Sequence, residues 1–147
     1  MRTRIKSLAR LAELRDRELR LRSGELVRLQ NDLQRLKETR EALDRARAEG
    51  CRASTPEAMP YLAGFLASID REDGQAAAAE SQVQKVVEVK RGEVLRARVD
   101  FGSVDRLKEI LEDRQRRDSN MREAAETDER NLIGYGRAVR QRATADG

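Results

Sequence analysis

The sequence predicts an all-α chain folded as a long antiparallel two-helix coiled-coil hairpin. Three observations predict it. Apolar residues recur at alternating steps of three and four along two separate stretches. Both of the chain's prolines fall in one short segment between those stretches. The composition is that of long helices, with 39% charged residues against 3% aromatic ones, and the apolar side chains are chiefly Leu, Val and Ala.

The first stretch begins at Ile5. Stepping by threes and fours gives Ile5, Leu8, Ala12, Arg15, Leu19, Arg22, Leu26, Leu29, Leu33, Leu36, Arg40 and Leu43. Nine of these twelve are apolar, enough to define an a/d seam with the strict seven-residue repeat of a left-handed coiled coil. No proline occurs before residue 50, so a helix is predicted over 2–49, about 70 Å long at 1.5 Å per residue. Arg15, Arg22, Arg40, Arg47 and, on the second helix, Lys90 fall on seam positions. Long basic chains can snorkel out of a thin seam, but they weaken it. The hairpin is therefore expected to be marginally stable alone and to work inside a larger assembly.

The break follows in "EGCRASTPEAMP". Gly50 suits a helix C-cap. Thr55 before Pro56 reads as an N-cap with proline at the first helical position. Pro60 biases Met59 away from helix. Residues 50–60 are the predicted connector, with one short helical turn inside it. Asp73-Gly74 is a second candidate turn, but Pro60 argues against the continuous first arm it would need.

The second helix is predicted over 61–142. Its seven-residue repeat runs Leu62, Ile69, Ala76, Val83, Lys90, Ala97, Val104, Leu111, with companions Leu66, Val87, Val94 and Phe101. The apolar pattern thins after about residue 111, leaving a polar overhang. With the tip near residue 55, Ile5 is expected near Asp105 and Leu43 near Ala67. The first helix then runs out near Leu107, and residues 1–147 form one hairpin.

The residue inventory excludes most chemistry. There is no histidine, which removes His-based acid–base catalysis, Ser-His-Asp hydrolysis and His metal sites. Cys51 alone builds neither an internal disulfide nor a thiolate zinc site. No phosphate-binding G-x-x-x-x-G-K-[ST] loop occurs, and "GYGRAV" lacks the preceding strand a dinucleotide fingerprint needs. The carboxylates are interleaved with Arg at helical spacing, as in solvated ion pairs. The chain is expected not to be an enzyme and to carry no cofactor or metal.

Charge is uneven. Residues 1–22 hold eight basic residues against three acidic ones, an excess larger than the whole chain's +4. A basic helix end can meet nucleic acid, an anionic membrane or an acidic protein rim. Interleaved acids and the scarcity of stacking aromatics argue against nucleic acid. No apolar run approaches the roughly 20 residues that span a bilayer, and no signal-peptide pattern is visible. The expectation is a soluble, cytoplasmic protein without direct bilayer insertion.

"PYLAGFLASI", from Pro60 to Ile69, is the one greasy island. Leu62, Leu66 and Ile69 belong to the seam. Tyr61 and Phe65 are four apart and share another helix face. They are either interface anchors or a plug folded over the tip.

Several segments in order resemble the FliJ family of flagellar type III export, whose relatives are the YscO-type injectisome proteins. They are "LARLAELRDRELRLRSGELVRL" (Leu8 to Leu29), "YLAGFLASI" (Tyr61 to Ile69), "DRLKEILEDRQRRD" (Asp105 to Asp118) and "REAAETDERNLIGYGRA" (Arg122 to Ala138). The resemblance implies a coiled coil similar to the central stalk of rotary ATPases. It implies that the end bearing both termini inserts into a hexameric export ATPase and promotes its assembly and activity. The other end would reach the membrane export-gate protein, and parts of the surface would bind export chaperones. The implied gate stripe is Phe65, Ile69, Glu72 and Ala76, with Tyr61 beside it. Glu72 replaces a small apolar residue there, and Ala76 is smaller than the usual occupant. Arg2, Arg4, Lys6 and Arg10 are the candidates for the ATPase ring, joined by Arg114, Arg116 and Arg117. The implied location is cytoplasmic, peripheral at the inner face of the membrane through the export apparatus. The alternatives are the injectisome counterpart, a generic coiled-coil scaffold and a basic nucleic-acid-binding coiled coil.

Overall fold

The computed structural model describes residues 1–146. Among them there are two elements, α1 (Arg2–Arg52) and α2 (Met59–Ala145), which pack against each other as an all-α helical hairpin. The chain divides into two compact units, Leu14–Phe101 and Met1–Glu13 with the chain from Gly102 onward.

In the Leu14–Phe101 unit the seam is the core. On α1 the three–four pattern continues from Leu43 through Arg47 to Gly50, and every position on it from Arg15 is half-buried. On α2 the same stepping from Leu62 to Phe101 meets only buried or half-buried residues. Full burial is confined to small and β-branched residues of α2: Ile69, Ala76, Val87, Val94 and Ala97. The α1 leucines are larger, and two helices alone cannot cover them. Val87, 2% exposed, is the best-shielded side chain. Its burial contributes about 1.5 kcal/mol.

The basic seam residues were expected to snorkel and weaken the pair. Instead they reach acids on the opposite helix. Arg40 donates to Asp73 Oδ1 and Glu80 Oε2, both at 3.0 Å. Arg22 donates to Glu93 Oε2 at 2.7 Å, and Lys90 lies 3.1 Å from Glu25 Oε2. Arg47 pairs with Asp70. Asp73 and Glu80 occupy α2 seam positions, four residues beyond Ile69 and Ala76. Each basic seam residue of this unit thus has a carboxylate placed for it on the other helix. Arg15 is the exception and pairs within α1, with Glu18.

These contacts correct the expected register. Arg47 meets Asp70 and Arg22 meets Glu93, so α2 is displaced by about five residues from the predicted pairing. The reason is the lean of helical side chains toward their own N-terminus. On an antiparallel pair, α1 side chains lean away from the tip and α2 side chains lean toward it. An α1 side chain therefore meets an α2 residue farther along than the backbone level alone suggests.

The connector is also tighter than 50–60. Among the described residues no glycine has positive φ, so Gly50 does not cap α1. The helix continues to Arg52. Ser54 Oγ then donates to the Cys51 carbonyl. The Thr55 carbonyl accepts from the amides of both Ala58 and Met59, forming a turn over Pro56–Ala58 that leads into α2. Pro60 sits in the first turn of α2, where a missing N–H costs little.

In the other unit, Ile5 and Leu8 are half-buried and Ala12 is 4% exposed. On α2, Val104, Lys108, Leu111 and Gln115 continue the half-buried seam. Met1, Arg2 and Thr3 border one concavity with Gln115, Asp118, Ser119 and Arg122. Cover was expected to end near Leu107 and extends to Gln115; residues 116–135 are all exposed.

Candidate functional site

The candidate residues near the tip lie on two neighbouring stripes of α2. Ile69 and Ala76 are seam residues, 5% and 9% exposed, with α1 against them. Phe65 and Glu72 flank the seam on one side and are exposed, as is Tyr61 beyond them. The surface presented outward is therefore Tyr61, Phe65 and Glu72, and Ile69 and Ala76 hold it from beneath.

The two aromatics differ. Tyr61 is 79% exposed, a large amphipathic side chain standing in solvent. Phe65 is 44% exposed and lies over Gly50 of α1. A methyl group on Gly50 would come within 2.5 Å of Phe65 Cε1. Gly50 is on the seam, so its bare backbone is what admits the ring. Phe65 thus joins the two readings of the tip: one side rests on α1, the other faces outward.

Arg2, Arg4, Lys6 and Arg10 are all exposed at the start of α1. They occupy several faces of the helix rather than one stripe. Arg114 and Arg117 are exposed on α2, and Arg116 pairs with Asp113.

The ion pairs shape the seam electrostatically. Lys90 is held in its charged form above the ordinary lysine range, first by Glu25 and then by Glu93. The Glu93 carboxyl is held below the ordinary glutamate range, first by Lys90, with Arg22 adding to it. Arg40 is driven further into its charged form by Asp73 and then Glu80. These are binding and orienting arrangements. Among the described residues, no group of three or more His, Cys, Asp or Glu side chains could hold a metal ion. Among the same residues no helix is long and apolar enough to cross a membrane.

Sequence reasoning passed over a second face of α1. Leu14, Leu21 and Val27 are exposed there at 60%, 70% and 52%. Arg17, Arg20 and Arg28 surround a notch at Gly24, where nothing approaches within 4 Å of an added methyl. Leu21 and Glu25 border the same notch. The signal was available, because the basic residues recur on the face opposite the seam.

A family model described as flagellar FliJ protein matches residues 1–140. No curated protein and no solved structure is matched. Two helices packed against each other are the fold the resemblance implied, and of the readings left open the match supports the flagellar one. The chain belongs to the FliJ family, the stalk-related, non-enzymatic proteins of flagellar type III export.

Proposed function

We propose that this chain is the accessory stalk of a flagellar export apparatus. It binds the hexameric export ATPase with the end bearing its termini and meets the membrane export-gate protein and export chaperones with the rest. The family match over residues 1–140 carries this reading. The site of action is the cytoplasmic face of the membrane.

The gate contact centres on Tyr61 and Phe65, with Glu72 at its edge. Ile69 and Ala76 act by positioning, because they fix α2 against α1 beneath those side chains. Large aromatics at a rigid tip bring apolar contact area at low conformational cost. Arg2, Arg4, Lys6 and Arg10 meet acidic or carbonyl groups of the ATPase, a contact that weakens as salt rises. Measured against the soluble portion of the gate protein, the Tyr61→Ala, Phe65→Ala double variant should lose at least about tenfold in affinity, the effect of roughly 1.4 kcal/mol. Its helicity should stay that of the parent. Unchanged affinity in a helical double variant would move the gate contact elsewhere.

A further inference from the structure

Part of α2 carries a second seam. From Leu107, alternating steps of three and four give Ile110, Arg114, Arg117, Met121 and Ala124, and then Asp128, Asn131, Tyr135 and Ala138. All ten positions are exposed. The large apolar members stand well out, at 48% for Leu107, 41% for Ile110, 71% for Met121 and 72% for Tyr135. This row is displaced around α2 from Val104, Lys108, Leu111 and Gln115, which form the half-buried seam. It lies wholly within the unit that includes the chain from Gly102 onward.

We propose that this row is a docking surface for a second copy of this chain, paired antiparallel about a twofold axis between Arg122 and Glu123. The row is complementary to its own reversal. Ile110 falls opposite Tyr135 of the second copy, and Met121 falls opposite Ala124. Leu107 falls opposite Ala138, and Arg117 opposite Asp128. Adjacent charges follow the same symmetry. Arg114, Arg116, Arg117 and Arg122 precede the axis, interleaved with Glu112, Asp113 and Asp118, and Glu123, Glu126, Asp128 and Glu129 follow it with Arg130. Antiparallel pairing sets Arg116 opposite Glu129 and Arg122 opposite Glu123 of the second copy.

The register is selective. A shift of one heptad sets Met121 against Arg117 or Asn131 and breaks the Arg117–Asp128 pair. Parallel pairing in register sets Arg114, Arg117 and Asp128 each against itself, and like charges at a helix interface repel. Among the described residues the last ion pairs along α2 are Lys108–Asp105 and Arg116–Asp113, so Arg117 and Asp128 keep their charges for a partner. Four large apolar residues and two alanines per copy make a modest interface, so the pairing is a reversible, concentration-dependent one. The proposal rests on the α2 pattern and not on the export assignment. If both hold, pairing covers a face near the terminal end and competes with entry into the ATPase.

Sedimentation of the full chain tests it, with Cys51→Ser in every sample to remove disulfide dimers. Between low micromolar and about 1 mM protein, the mass should rise from 16.7 kDa toward twice that value. Arg117→Asp and Asp128→Arg should each hold it at the monomer mass, because each sets like charges together twice. The double variant should restore the dimer, and so should an equal mixture of the two single variants. Circular dichroism should report the same helicity throughout, since both positions are exposed. A monomer at every concentration overturns the proposal and leaves this face to a different partner. A dimer indifferent to both single changes overturns it as well.

Discussion

Replacing Gly50 by Ala sets two effects of similar size against each other. Gly50 is helical with ordinary φ, so Ala there should gain about 1 kcal/mol of helix propensity. Its new methyl would sit 2.5 Å from Phe65 Cε1, far inside contact distance. The obstacle is a side-chain ring, so the ring gives way and swings outward. Phe65 is 44% exposed, and covering the rest of a phenylalanine of roughly 200 Å² is worth at most about 2.8 kcal/mol at 25 cal/mol per Å². With part of that burial already present in the unfolded chain, about 2 kcal/mol is at stake. Gly50→Ala should therefore destabilise by about 1 kcal/mol and Phe65→Ala by about 2. The double variant should lose only about 1, a coupling of about 2 kcal/mol. Urea unfolding followed by circular dichroism reads all four corners of the cycle. If Gly50→Ala stabilises by its full propensity and Phe65→Ala costs the same in both backgrounds, the ring does not rest on Gly50 and the tip has been misread.

Other expectations follow from the seam. Val87→Ala should cost about 2 kcal/mol, while Val99→Ala, at a site 65% exposed, should stay within about 0.5, both read from urea midpoints. Arg40→Gln should lower the unfolding midpoint, by less as salt rises, because it strands Asp73 and Glu80 on the seam. The folded-state pKa of Glu93 is depressed, so its contribution is fully present above the ordinary glutamate value, about 4.3, and is lost as pH falls through the lower folded value. Glu93→Gln should remove that share of the acid-side loss below about pH 4 and make the stability profile shallower there.

The helical seam was legible because its period is a property of sequence alone. The same stepping that named Ile5 to Leu43 also reaches Arg47 and Gly50, and every position from Arg15 to Gly50 proved shielded. Register was not legible, because it depends on how far side chains lean along their helices. The carboxylates that meet Arg40 were present at Asp73 and Glu80, but without the register Asp73 read with Gly74 as a candidate turn and Glu80 went unremarked. Gly50 read as a cap for the same reason: its role is set by a ring on the other helix. The seam places of Ile69 and Ala76 followed directly from the heptads, whereas the exposure of Tyr61 did not, because a plug over the tip was equally open to it. The row from Leu107 to Ala138 was also present in the sequence, hidden because charges occupy its middle.

The central claim, that this chain is an export-ATPase stalk, meets its most direct test in ATP turnover. Purified export ATPase should be assayed with and without the chain, with hexamer formation scored in the same samples. The account predicts that the chain raises both turnover and the hexamer fraction, and that added salt weakens the effect through the basic start of α1. Turnover and hexamer fraction unchanged at saturating chain would contradict it.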